Sequence, residues 1–112
     1  MDTQLKRGML EAVVLALLLK GDSYGYLLVR QAAGAIELSE STLYPVLRRL
    51  EGAGQVSAYT QEHSGRLRKY YRITPLGEEK VQQFLADFQQ VHQVYQLILA
   101  SVQGQQAKEE NQ

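Results

Sequence analysis

Between Leu5 and Leu18 the apolar side chains fall at Leu5, Met9, Leu10, Val13, Val14, Leu17 and Leu18, the three-to-four-residue recurrence of an amphipathic helix. Ala12, Leu15, Ala16 and Leu19 spread that stripe around most of the circumference. The spacing therefore predicts a helix over 5–20 that needs cover on more than one side. A shorter helix is expected over 23–33, with Tyr24, Leu27 and Leu28 on its packing face and Asp22 or Ser23 as its cap. Gly21 is placed to close the preceding helix and Gly34 to stop this one. Gly25, early in it, reads either as a close helix approach or as a plain loss of propensity. A third helix runs from Ser39 or Ser41 to about 51, with Leu43, Leu47 and Leu50 on one face, Val46 beside them, and Tyr44, Arg48 and Arg49 largely off it. Pro45 forfeits an intrahelical hydrogen bond in either case, which predicts an irregular first turn.

After "GAGQ" the period drops to two. Val56, Ala58 and Thr60 alternate with Ser57, Tyr59 and Gln61; beyond the turn "EHSGR", Leu67, Lys69 and Tyr71 alternate with Arg68, Tyr70 and Arg72. Two alternating runs joined by a glycine-bearing loop predict a β-hairpin with a positively charged tip, and alternation sends Tyr70 and Tyr71 to opposite faces. "TPLGEE" then starts a helix, with Thr74 as cap, Pro75 in the first position, and Glu78 and Glu79 near the positive end of the helix dipole. Apolar residues recur in it at Val81, Phe84, Phe88, Val91, Tyr95, Ile98 and Val102, in alternating steps that make a heptad repeat. A helix of about 28 residues would be about 42 Å long, more than a small domain spans, so much of this seam is expected to meet a second subunit. The expected organisation is 1–73 as one domain, 74–103 as the long helix, and 104–112 as a polar, disordered tail.

The formal net charge of zero excludes polyanion binding by bulk basicity. It is a cancellation, however. Residues 39–72 carry six Lys and Arg against three Asp and Glu, whereas residues 73–112 carry two against five. A nucleic-acid footprint is thus to be sought locally. The absence of cysteine excludes disulfides, thiolate metal sites and a cysteine nucleophile. His63 and His92 stand in unrelated elements, and no metal site, cofactor, paired-carboxylate set, nucleophile–base pair or phosphate-cradling loop is expected. The run from Met9 to Leu19 contains Glu11 and is shorter than a membrane span needs, so the expectation is a soluble cytoplasmic protein that is not an enzyme.

The fold class that follows is mainly α with a small β-hairpin: a winged helix-turn-helix plus a long C-terminal dimerisation helix. In that layout the third helix enters the major groove and the hairpin lies along the backbone. The leucine face of the third helix packs, leaving Ser41, Thr42, Tyr44, Arg48 and Arg49 as candidate DNA contacts, joined by Arg66, Arg68 and Lys69 of the wing. The candidate dimer surface combines Met9, Val13 and Leu17 with Val81, Phe84, Phe88, Val91, Tyr95, Ile98 and Val102. Phe84, Phe88, Val91 and Tyr95 near that seam are the candidate site for a small aromatic effector. Expected partners are a second copy and double-stranded DNA with an approximately palindromic operator. A dimeric winged module that docks protein instead of DNA is the competing reading.

Three stretches, "LKRGMLEAVVLALLLKGDSYGYLLV", "STLYPVLRRLEGAGQV" and "SGRLRKYYRITPLGEE", together resemble the PadR family of transcriptional regulators, in particular its short subfamily with one C-terminal helix. The resemblance covers about residues 5–100. It implies a homodimeric winged-helix repressor acting near its own gene, with the first and last helices forming the dimer. It places Tyr24 and Gly25 in the second helix, Thr42, Leu43, Tyr44 and Arg48 in the recognition helix, and the wing pattern on Gly65, Arg66, Arg68, Lys69, Tyr70 and Tyr71. Some short members bind flat aromatic drugs between subunits through a tryptophan at the position held here by Phe88.

Overall fold

The computed structural model describes residues 1–110. Its elements are α1 (Thr3–Leu19), α2 (Gly25–Ala32), α3 (Glu40–Gly52), β1 (Val56–His63), β2 (Arg66–Ile73) and α4 (Pro75–Glu110). The chain divides into two compact units, Met1–Val81 and the part of α4 from Gln82 onward.

In the first unit the three helices and the hairpin share one core. α1 contributes Leu10, Val14, Leu15 and Leu18, α2 contributes Leu28 and Ala32, and α3 contributes Leu43, Val46, Leu47 and Leu50. Val56 and Tyr71 close it from the hairpin, and Val81 from the first turns of α4. Tyr71 is thus the core tyrosine of the Tyr70–Tyr71 pair. α1 begins earlier than its apolar pattern suggests because the Asp2 carboxylate caps it, accepting from the amides of Gln4 at 3.0 Å and Leu5 at 3.2 Å.

α2 departs from expectation at its start. Its cap is Tyr24, which makes no side-chain capping bond. Ser23 instead pairs edge-on with β2, its amide donating to the Tyr71 carbonyl at 3.2 Å and its carbonyl accepting from the Tyr71 amide at 2.8 Å. The buried Ser23 hydroxyl donates to Gln31 at 3.2 Å. Asp22 turns to the hairpin as well. Both capping candidates are therefore spent on tertiary contacts.

α3 is one unbroken helix capped by Ser39, with Pro45 inside it. The irregularity expected at its start is confined to a tightened first turn, in which the Ser39 carbonyl accepts from both Thr42 and Leu43. The Ser41 carbonyl that Pro45 deprives of a donor sits at an exposed position, where water satisfies it at little cost. β1 and β2 pair antiparallel from Val56↔Ile73 to His63↔Arg66. Ser64 at φ 51° and Gly65 at φ 80° make the two-residue turn with both dihedrals positive, the twist that suits a tight hairpin.

The Thr74 hydroxyl caps α4, accepting from the Gly77 amide at 3.1 Å and donating to the Gly54 carbonyl at 2.6 Å. Gly77 is required there because a Cβ would collide with the Gln55 carbonyl and stand 2.7 Å from Ile73 Cγ1. The second unit is the rest of α4. The helix continues through Glu110 instead of ending near residue 103, because Gln, Ala, Lys and Glu are good helix formers and Gly104 costs only about 1 kcal/mol. Of the expected polar tail, 104–110 are helical and the last two residues lie outside the described ones.

Candidate nucleic-acid interface

The buried side chains of α3 leave Ser41, Pro45 and Arg48 along the opposite, outward stripe, since positions three to four apart share a face. Tyr44 flanks that stripe on the wing side; Thr42 and Arg49 flank it on the α1 side. Ser41, Thr42, Tyr44 and Arg48 are exposed. Arg48 has no carboxylate partner among the described residues.

Arg49 is in a different situation. It is half-buried, and its Nε donates to Glu11 Oε1 at 3.0 Å. Glu11 also stands 3.7 Å from Arg7 Nε on the same helix. The two adjacent arginines read alike in sequence, yet one is free and the other ties α3 to α1. The same region brings Lys6 and Arg7 beside Thr42, Pro45 and Arg49, around a shallow groove of about 290 Å³. Lys6 and Arg7 are further candidate phosphate contacts that the sequence reading missed. Their signal is a pair of cations one turn before an apolar run.

Tyr44 explains Gly25. A Cβ on Gly25 would stand 2.6 Å from the Tyr44 hydroxyl and 3.1 Å from Cζ, so the glycine admits the phenol against α2. The close approach is by a side chain, not by a helix backbone. Tyr44, Tyr26, Leu67, Arg68 and Lys69 line a notch of about 380 Å³ between α2, α3 and the wing, with Glu40 at its rim.

Strand register sorts the wing residues. Arg66, Arg68, Tyr70 and Arg72 share one face with Tyr59; Leu67, Lys69 and Tyr71 share the other. Arg66 is exposed with no carboxylate partner among the described residues. Arg68 is half-buried with its guanidinium 4.1 Å from the centre of the Tyr24 ring. Lys69 lies 4.0 Å from Glu51 and 5.4 Å from the Tyr71 ring, a loose tether in water. Arg72 is committed to the fold: its Nη2 and Nε donate to Asp22 Oδ2 at 2.8 Å and 3.0 Å, and Tyr59 donates to the same oxygen at 2.7 Å. The Arg72 hydrogen bonds, then that of Tyr59, hold the Asp22 carboxyl below its ordinary pKa. The same carboxylate raises the pKa of the Tyr59 phenol.

On α4, Phe84 and Phe88 stack at 5.8 Å between ring centres, and Phe88, Val91, Tyr95, Ile98 and Val102 are exposed. The candidate effector residues Phe84, Phe88, Val91 and Tyr95 all stand on this one helix. Val81, assigned from the heptad to a dimer seam, is only 8 % exposed and already covered within the first unit. Met9, Val13 and Leu17 of α1 are half-buried. No helix among the described residues is long and apolar enough to cross a membrane.

The family profile described as the transcriptional regulator PadR-like family matches residues 14–83, from α1 through the wing and into α4. Among solved structures, the chain is similar to a PadR family transcriptional regulator of Eggerthella lenta, with 33 % identity, a TM-score of 0.76 and 86 % of each chain covered. It is similar to a Streptococcus transcriptional regulator at 30 % identity and a TM-score of 0.77, covering 87 % of this chain and 98 % of that one. A Streptococcus mutans protein reaches 42 % identity with a TM-score of 0.68, covering 78 % of this chain and 81 % of the other. The match spans the end of α1, α2, α3, the wing and the start of α4, and on that ground the chain belongs to the PadR-like family of transcriptional regulators.

Proposed function

We propose that the chain is a homodimeric, sequence-specific DNA-binding repressor of its own or a neighbouring operon, relieved by a small aromatic effector. The observation that carries the DNA reading is the contrast among the arginines. Arg49 and Arg72 are consumed by Glu11 and Asp22, while Arg48 on the outward stripe of α3 and Arg66 at the wing tip are left without a carboxylate among the described residues. Exposed guanidinium groups on a rigid helix and a tight hairpin suit phosphate and guanine edges. Ser41, Thr42, Tyr44, Arg68 and Lys69 complete the proposed contact set.

The dimer reading rests on α4. Its apolar stripe from Phe84 to Val102 repeats at coiled-coil spacing, and single soluble chains seldom leave such a stripe in water. Two copies related by a twofold axis would present two copies of α3, hence an approximately palindromic operator with half-sites about 34–36 Å apart. Effector binding belongs between the two ridges of Phe84, Phe88, Val91 and Tyr95, which in a dimer face each other.

The net charge of zero favours one second reading, a winged module that docks protein. Nuclease footprinting of the region upstream of the gene separates the two. Two protected half-sites a helical turn or so apart support the regulator; no protection at any protein concentration supports protein docking.

A further inference from the structure

We propose that Tyr24 is a positioning residue for DNA binding: its ring seats the Arg68 guanidinium at the start of α2, from where its N–H donors reach a backbone phosphate. The inference deepens the DNA-binding reading and rests on it. Of the cation–ring contacts in the first unit, Arg68 over Tyr24 at 4.1 Å is the shortest; the others are 5.2, 5.4 and 5.9 Å.

Tyr24 is itself fixed. It meets Tyr70 edge to face at 5.5 Å, and Tyr70 stacks on Tyr59 at 5.6 Å. The Tyr59 hydroxyl ends the chain on Asp22 Oδ2, the oxygen that Arg72 also bonds. Paired Ser23 and Tyr71 backbones lock the same loop to β2. Tyr24 makes no side-chain cap for α2, so helix capping does not explain the ring.

The chemistry of guanidinium makes this arrangement useful. Its five N–H donors lie in the plane of the group and point outward from its edge. An aromatic platform covers the face and leaves that edge free, while removing the rotamer freedom that an arginine otherwise loses when it binds. Arg72, two pleat repeats along the same face, has already spent its edge on Asp22. Arg68 has no carboxylate partner among the described residues, and it borders the notch that also holds Tyr44 and Lys69. Of the acids on α3, Glu40 lines the notch and Glu51 stands 4.0 Å from Lys69 Nζ. An incoming phosphate therefore meets an oriented donor between two hydroxyl- and amine-bearing neighbours.

The test is a double-mutant cycle read by fluorescence anisotropy against a labelled random-sequence duplex at low salt, where phosphate contacts dominate. Tyr24→Leu is expected to weaken binding about three- to tenfold, and Tyr24→Phe, which keeps the ring, to stay within about twofold. In an Arg68→Ala background Tyr24→Leu is expected to add nothing. An equal loss in that background overturns the proposal, because the tyrosine then acts through the wing's fold. Arg68→Lys gives an independent arm that does not depend on Tyr24→Leu folding. Lysine keeps the charge without the planar edge, so affinity is expected to fall with the salt slope unchanged; wild-type affinity in Arg68→Lys overturns the proposal. A wild-type protein that binds no duplex at low salt sinks the DNA-binding reading itself, and is told apart by the first titration.

Discussion

Replacing Arg48 and Arg49 one at a time by alanine should separate two neighbours that look equivalent in sequence. Arg48 is exposed and bonded to no carboxylate among the described residues, so its loss should move folding stability by no more than about 0.5 kcal/mol. If it pairs with a guanine edge, the loss in operator binding is about 1–3 kcal/mol, or about 5- to 150-fold. If it meets only a phosphate, the salt slope of binding falls by about 0.9. Arg49 behaves oppositely. Its side chain is 34 % exposed and that of Glu11 20 %, between a surface pair worth about 0–1 kcal/mol and a buried one costing about 3–5 kcal/mol to break. Glu11 would retain only the longer contact to Arg7 at 3.7 Å. A cost of about 1–2 kcal/mol follows, lowering the melting temperature by about 4–8 °C for each kcal/mol in a domain of this size. Circular dichroism melts and anisotropy titrations on both variants provide the readout. A melting temperature that falls as far for Arg48→Ala as for Arg49→Ala, or operator binding that survives Arg48→Ala while Arg49→Ala abolishes it without destabilisation, would refute the reasoning.

Further predictions concern packing, acid stability and assembly. Gly77→Ala drives a Cβ into backbone at Gln55 and should cost about 1–3 kcal/mol in urea unfolding, as overpacking does. Gly104→Ala meets open space and should gain helix propensity worth about 1 kcal/mol, seen as increased far-ultraviolet ellipticity at 222 nm. The lowered pKa of Asp22, caused first by its hydrogen bonds from Arg72, makes its contribution to stability complete above the pKa of an unfolded aspartate. That contribution disappears as pH falls through the lower folded value; Asp22→Asn should therefore destabilise the protein at neutral pH and flatten the acid limb of its stability profile. Val91→Asp places a charge on the α4 stripe. Losing about 1.5–3 kcal/mol of valine burial per copy, counted twice by symmetry, should weaken the dimer at least about 100-fold in sedimentation equilibrium.

What the sequence disclosed and what it hid divide along the range of the interactions. The order of elements was legible because each carries a periodic pattern: leucines three to four apart in α1 and α3, alternation in the hairpin, a heptad in α4. Thr74 and Pro75 were legible as a helix start because capping is local. Asp22 and Ser23 misled for the opposite reason. Both are good caps, but β2 runs past them and the backbone of Tyr71 and the side chain of Arg72 outbid a capping bond. Arg49 seemed free because its partner Glu11 is 38 residues away. Val81 fits the heptad yet lies where α4 still packs on the first unit, and no period along one helix reveals where its neighbour ends. Tyr24 was visible as packing, but its role against Arg68 depends on a strand that arrives more than forty residues later.

The central claim, that α3 and the wing bind DNA, is tested most directly by titrating the protein against a labelled duplex from upstream of its own gene and a scrambled duplex across a series of salt concentrations. The account predicts tighter binding to the upstream duplex, with log affinity falling linearly and steeply against log salt as condensed counterions are released. Affinity that is equal for both duplexes and insensitive to salt would contradict it.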